Sequence, residues 1–330
     1  MTCIAVIGGS GFIGTRLCQA LQEAGVAFRI VDKRMSETFP DKTIIADVTK
    51  LDSLHSALDG CGTVINLAAE HRDDVRPRSL YDEVNVDGAR NVCKAAEAVG
   101  ISRIVFTSTV AVYGFASPDT GEDGAIAPFN DYGRTKAEAE AVYREWQQAD
   151  SEARSLVVVR PTVVFGERNR GNVYNLLRQI ASGMFVMIGA GRNYKSMAYV
   201  GNVVAFLSHM LSAPPGAHVA NYVDKPDMEM NQLVELARTT LGRKRGWMPR
   251  LPYVVGYSIG GALDVVAWAT GRTFPVSRIR VRKFCATTQF ASAARSFGFV
   301  PPYSLQEGLA RTLESEFLGK GQGGPLFYSE

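Results

Sequence analysis

The chain has 330 residues, 46% of them hydrophobic and 21% charged, with a net charge of +3; it is not a disordered chain, and it can bury one large core or two smaller ones. Five cysteines (Cys3, Cys18, Cys61, Cys93, Cys285) are scattered without a close-spaced pair, which predicts reduced cytoplasmic thiols and neither a disulfide framework nor a metal site. The charge is uneven: nine basic residues between Arg243 and Lys283 face one acid, Asp264, so the C-terminal part asks for an anionic partner other than nucleic acid.

The chain opens with Ile4-Ala5-Val6-Ile7, an apolar run that reads as a buried strand and ends at Gly8-Gly9-Ser10-Gly11-Phe12-Ile13-Gly14. Leu17 and Leu21 then recur at helical spacing before a second apolar run closes on Asp32. Strand, glycine turn, helix and strand, with an acid about 20 residues on, is the context a dinucleotide fingerprint requires. The glycines make a tight turn, admit a pyrophosphate to the backbone and let the helix pack on the sheet, while the helix N-terminus offers free N–H groups. Gly8, Gly11, Phe12, Ile13 and Gly14 are therefore expected to hold the cofactor. Asp32 suits a ribose 2′-hydroxyl and repels a 2′-phosphate, so NAD is expected over NADP; the adjacent Lys33-Arg34 could instead greet a phosphate. No cleavable leader is expected before the first strand.

A third strand over 43–46 ends at Asp47-Val48, where Asp47 is placed to meet the adenine amino group. The buried run 63–66 leads into Leu67-Ala68-Ala69, whose small side chains leave room for a flat cofactor. His71 follows among charges and reads as a solvated or hydrogen-bonded loop residue rather than a catalyst. A helix over 80–99 leads to a strand over 103–106, which delivers Thr107-Ser108-Thr109 to the edge where ligands bind in this architecture. Tyr132 and Lys136 are four apart and share a helix face. The Lys136 ammonium is expected to stabilise tyrosinate and bring the phenol nearer working pH, so that it can exchange a proton with a sugar hydroxyl.

The second half reads as the substrate part. The fold class is α/β: a doubly wound parallel (Rossmann) sheet over 1–165 and a smaller α/β substrate domain over 166–330 that returns some chain to the sheet. Asn172 stands near a helix start, as a diphosphate or sugar-amide ligand or as a cap. The stretch 251–270 is long and apolar, but Pro252, three glycines and Asp264 argue against a spanning helix. With basic flanks it matches an interfacial helix on an anionic bilayer, and equally a core or oligomer-interface helix.

The glycine loop, Asp32, Asn66-Leu67-Ala68-Ala69, Thr107-Ser108-Thr109 with Val112-Tyr113-Gly114, Tyr132-x-x-x-Lys136 and Arg160-Pro161 together resemble the extended short-chain dehydrogenase/reductases, the nucleotide-sugar epimerase/dehydratase group. The resemblance implies NAD held by the loop residues with Asp32, Lys33, Asp47, Val48, Leu67, Ala68, Ala69, Tyr132, Lys136 and Pro161. It implies catalysis by Tyr132, Lys136, Thr109 and Ser108, Thr109 bonding the reacting hydroxyl and Lys136 also the nicotinamide ribose. Val110-Ala111 replaces the Asp-Glu of the 4,6-dehydratases, so no acid is placed for elimination. Lys195 falls where the family usually has an arginine on the substrate diphosphate, and a lysine there gives up bidentate geometry.

Longer runs, among them Phe165-Gly166-Glu167-Arg168-Asn169-Arg170-Gly171-Asn172 and Lys283-Phe284-Cys285-Ala286-Thr287-Thr288-Gln289-Phe290, are similar to a bacterial subgroup of that family. Its members epimerise N-acetylglucosamine at C4 on undecaprenyl diphosphate, producing the lipid that starts O-antigen repeats. That implies a polyprenyl-diphosphate-linked amino sugar bound through Thr109, Asn172, Lys195, Arg280 and Arg282, with membrane contact through 243–283. It also implies peripheral attachment on the cytoplasmic face and a homodimer. The alternatives are a UDP-N-acetylglucosamine 4-epimerase, a UDP-4-keto-sugar reductase and a non-catalytic dinucleotide sensor.

Overall fold

The structure, a computed structural model, describes residues 3–72, 75–243, 249–271, 277–321 and 323–328. Seven strands, β1 (Cys3–Ile7), β2 (Phe28–Asp32), β3 (Thr43–Ile45), β4 (Cys61–Asn66), β5 (Arg103–Thr107), β6 (Ser155–Pro161) and β7 (Ala217–Tyr222), form one sheet in the order 7-6-5-4-1-2-3. Every neighbouring pair is parallel. This is the doubly wound order, and its direction reverses between β1 and β4, which opens a crevice at their carboxyl ends.

Helices α1 (Phe12–Glu23), α2 (Leu51–Leu58), α3 (Gly88–Ala98), α4 (Asp131–Gln148), α5 (Asn172–Ser182), α6 (Val200–Met210), α7 (Met230–Thr240), α8 (Tyr253–Thr270), α9 (Arg278–Cys285) and α10 (Leu305–Phe317) complete the fold. Because strand side chains alternate, Ile4 and Val6 of β1 join one core with Leu17 and Leu21 of α1 and the apolar faces of α6, α7 and α10. Ala5 and Ile7 join the other, with α2, α3 and α4. Both faces are covered, so the strands read as continuous apolar runs.

The helix expected over 80–99 is interrupted. A π turn over Asp82–Asp87 precedes α3, and it turns Asn85 inward, where its side chain bonds the backbone N–H and C=O of Glu70 (2.8 and 2.9 Å) and the Thr135 hydroxyl (2.9 Å). The π turn thus ties the loop after β4 to the helix that carries Tyr132, consistent with the tendency of such turns to occur at functional sites.

Candidate active site

The crevice is a cleft of about 1180 Å³, somewhat larger than most ligand sites. Gly8, Gly11, Phe12, Ile13, Gly14, Asp32, Lys33, Asp47, Val48, Leu67, Ala68, Ala69 and Pro161 all line it. Two glycines make the cradle. Gly8 has φ +76°, and a Cβ there would sit 2.7 Å from the Ala68 nitrogen; one at Gly14 would sit 2.5 Å from the Gly8 oxygen. The loop can close this tightly only without side chains. Gly11 is the N-cap of α1 and offers no side-chain partner to the first-turn amides, which leaves them for an anion. Asp32 accepts from the Ser10 and Arg34 amides, each at 3.0 Å, so it shapes the loop as well as facing the ribose position. The donor set fits a dinucleotide with a free 2′-hydroxyl.

The residues expected to carry the chemistry meet in the same cleft. Asn130 caps α4 by accepting from the Gly133 amide at 3.0 Å, which starts the helix so that Tyr132 and Lys136 face the cleft with Thr109. The Tyr132 phenol hydrogen-bonds the Thr109 hydroxyl; burial pushes the phenol up to about 12, and that bond acts the other way. Thr109 Oγ1 is itself fixed by the Ala111 amide at 3.1 Å. Lys136 is buried, and desolvation brings its ammonium down to about 7 against the pull of Glu140. Its Nζ lies 4.1 Å from the centroid of the Phe106 ring.

The sequence reading expected the ammonium to lower the phenol; in this structure burial raises the phenol, the Thr109 hydrogen bond opposes that rise, and burial lowers the lysine.

Ser108 also has a different place from the one expected. Its hydroxyl, although at the cleft wall, donates to Glu140 Oε1 at 2.6 Å. Glu140 is buried and takes Arg160 through two further bonds (2.8 and 2.6 Å) and Arg144 through a third (2.7 Å). Arg160 continues the network to the Tyr113 hydroxyl, which donates to Asn221 at 2.8 Å. Ser108 is therefore a strut in a buried ionic network. Sequence reasoning missed Glu140, yet the signal was there, since an acid one turn after Lys136 lies on the same helix face.

On the substrate side, Asn172 lines the cleft and is not a cap, because Gly171 holds the N-cap position of α5. Arg280 also lines the cleft. Arg282 instead lines a neighbouring pocket of about 390 Å³ with Ile188, Gly191, Tyr253 and Cys285, and its guanidinium lies 4.8 Å from the Phe115 ring centroid. Lys195 does not serve as expected: its ammonium donates to the Lys283 and Ala286 carbonyls (2.7 and 2.6 Å). It caps the end of α9 and lines neither pocket; burial lowers it to about 8. His71, which the sequence set aside, lines the cleft with its ring centroid 6.5 Å from that of Tyr132.

Helix α8 turns its glycines inward. A Cβ at Gly256 would meet Ile188 at 2.8 Å, and one at Gly260 would come 2.8 Å from the Ser277 backbone. Its bulky apolar residues therefore point out: Val254 is 72% exposed, Val265 63% and Trp268 87%. Among the described residues no helix is long and apolar enough to cross a membrane. Lys244, Arg245 and Arg272 of the basic segment, and Asp73-Asp74 of the loop after β4, lie outside the described residues.

Fold and site together define a dinucleotide-dependent enzyme of the short-chain dehydrogenase/reductase type. The model of the NAD dependent epimerase/dehydratase family matches residues 4–222, and the chain belongs to that family. It is 51% identical, over 99% of both chains, to N-acetyl-α-D-glucosaminyl-diphospho-ditrans,octacis-undecaprenol 4-epimerase of Escherichia coli O157:H7. It is 27% identical to UDP-glucose 4-epimerase of Vibrio cholerae over 94% of each chain. Among solved structures, UDP-glucuronic acid 4-epimerase from Bacillus cereus in complex with NAD superposes with a TM-score of 0.73 at 20% identity, covering 97% of this chain and 100% of the other; it shares the fold.

Proposed function

We propose that the protein interconverts N-acetylglucosamine and N-acetylgalactosamine at C4 while the sugar is carried on undecaprenyl diphosphate, for surface-polysaccharide synthesis of the O-antigen kind. The observation that carries this reading is the 51% identity, over 99% of both chains, to a relative named for that reaction.

NAD, when bound, supplies reversible oxidation of a secondary alcohol. The chain's own residues do the rest. Thr109 holds the C4 hydroxyl beside the phenol, and Tyr132 takes the hydroxyl proton and returns it. Lys136 stands one helical turn away to hold the ribose. Asn172 and Arg280 face the sugar and its diphosphate from the other wall, where charge-assisted bonds from a guanidinium suit phosphate oxygens. In the second pocket Arg282 suits a phosphate oxygen, and Ile188 and Tyr253, at the start of α8, suit the first part of a prenyl tail.

The outward apolar face of α8, with Arg278 and Lys283 in the next helix, favours peripheral contact with an anionic bilayer. Apolar burial and roughly 1 kcal/mol per nearby basic residue add there. Attachment on the cytoplasmic face and a homodimer complete the proposal.

The test is to offer the purified protein undecaprenyl-diphosphate-linked and UDP-linked N-acetylglucosamine side by side and read the C4 configuration of each product. Turnover of the lipid-linked sugar supports the proposal. Turnover of the UDP sugar alone, or a need for stoichiometric reductant, replaces it with a UDP-sugar epimerase or a ketoreductase.

A further inference from the structure

The C-terminal residues after α10 fold back over the protein. Pro325, Leu326, Phe327 and Tyr328 line the dinucleotide cleft alongside the glycine loop, and the Phe327 ring lies 5.8 Å from that of Phe12 at the start of α1. The segment is anchored by a short parallel bridge to the loop before α5. The Phe327 N–H donates to the Arg168 carbonyl at 2.9 Å, and the Phe327 carbonyl accepts from the Arg170 N–H at 2.7 Å. The Arg168 guanidinium reaches over it to the Pro325 carbonyl at 3.1 Å and to the Gly324 carbonyl.

The receiving loop is itself fixed by contacts from α10. Arg168 sits in the left-handed region at φ +71°, which a non-glycine residue adopts only when its surroundings impose it. Glu316 of α10 imposes it by accepting the Arg168 N–H and pairing with Arg170 at 2.6 Å. Between the two arginines, Asn169 lines the cleft. Phe12 from the cofactor loop, Asn169 and the C-terminal residues thus form one continuous wall.

We propose that residues 323–328 are a strap belonging to the cofactor site, closing over NAD so that it stays bound from one turnover to the next, with Phe327 as the residue that fastens it. The inference rests on the reading of the protein as an NAD-dependent epimerase. An epimerase restores its cofactor within each cycle and gains nothing from exchanging it, and loss partway would strand a keto sugar. A dehydrogenase, which must release its reduced cofactor, has no use for such a closure.

The test compares the full chain, a chain ending at Gly321, Phe327→Ala and Arg168→Ala. NAD content after purification and the rate of NAD release on dilution are followed in the absence of any sugar. The thermal midpoints of the stripped proteins report folding, and Phe327→Ala keeps the test open should the shortened chain fold poorly. Release about tenfold faster or more in Phe327→Ala and in the shortened chain, with stripped midpoints close to the full chain's, is the expected result. Unchanged release overturns the strap, as does a change confined to the KM for the sugar, which would give the segment to the substrate. If the full chain itself takes up no NAD, the functional reading falls and the strap with it; retained NAD with unchanged release sinks the strap alone.

Discussion

Lys136 is expected to be the most expensive residue in the site, and replacing it with methionine should stabilise the protein while ending its activity. Its folded value of about 7 lies below the ordinary 10.5 because burial disfavours the ammonium. Between those two values the unfolded chain binds the extra proton, so this lysine makes stability rise with pH from about 7 to about 10.5. Below pH 7 the whole penalty is present: 3.5 units at 1.36 kcal/mol each is on the order of 5 kcal/mol, and at pH 7 about 4 kcal/mol remains. Methionine fills similar volume and has no charge to desolvate. For a 330-residue chain, with an unfolding entropy near 2.1 cal/mol/K per residue, 4 kcal/mol corresponds to a rise in Tm of about 6 °C. Thermal unfolding of Lys136→Met and the parent, both stripped of dinucleotide, at several pH values between 6 and 10 is the assay. The gain should be largest at the acid end and vanish near pH 10. A variant that melts at or below the parent at pH 7, or whose gain does not depend on pH, would refute the reasoning.

The other expectations are simpler. Tyr132→Phe should cut epimerisation by about 10³-fold or more with cofactor content unchanged, measured by turnover and by NAD released on denaturation; activity within tenfold of the parent would remove the phenol from the chemistry. Glu140→Ala should cost about 3–5 kcal/mol in denaturant unfolding, because it strands the Arg160 guanidinium in the core. Adding Arg160→Met should recover most of that loss, and a double variant no better than the single would show that the pair is not the source. Val265→Glu with Trp268→Glu, both on the outward face of α8, should reduce sedimentation with anionic vesicles about tenfold or more without changing the stripped Tm. Equal sedimentation of variant and parent would take α8 off the membrane.

The dinucleotide half was largely legible in the sequence because its signals are local. Glycines at positions where a side chain would collide with the backbone, an acid at the end of β2 and small residues after β4 each fix one contact without long-range information. Tyr132 and Lys136 were legible through helical spacing read together with the glycine loop and the Thr107-Ser108-Thr109 strand end. What the spacing did not reveal was the electrostatics: the direction in which the phenol moves depends on how deeply both groups are buried, and burial is a property of the packed chain.

The substrate side was less legible for the same reason. Lys195 was assigned by its place in a motif, but strand pairing turns its ammonium to the end of α9. Ser108 is held by Glu140, 32 residues away. The contact between Phe327 and Phe12 joins the two ends of the chain and has no sequence signature. Helix α8 shows the reverse case: its composition left membrane, core and subunit interface open, and the inward placement of Gly256 and Gly260 explains why its apolar side chains face out.

The account turns on a sugar carbon that gives up its hydrogen and recovers the same one. Undecaprenyl-diphosphate-linked N-acetylglucosamine carrying deuterium at C4 should be converted, without added reductant, to the N-acetylgalactosamine form with the deuterium still at C4. Loss of the label to solvent, or no conversion unless NADH or NADPH is supplied, would contradict it.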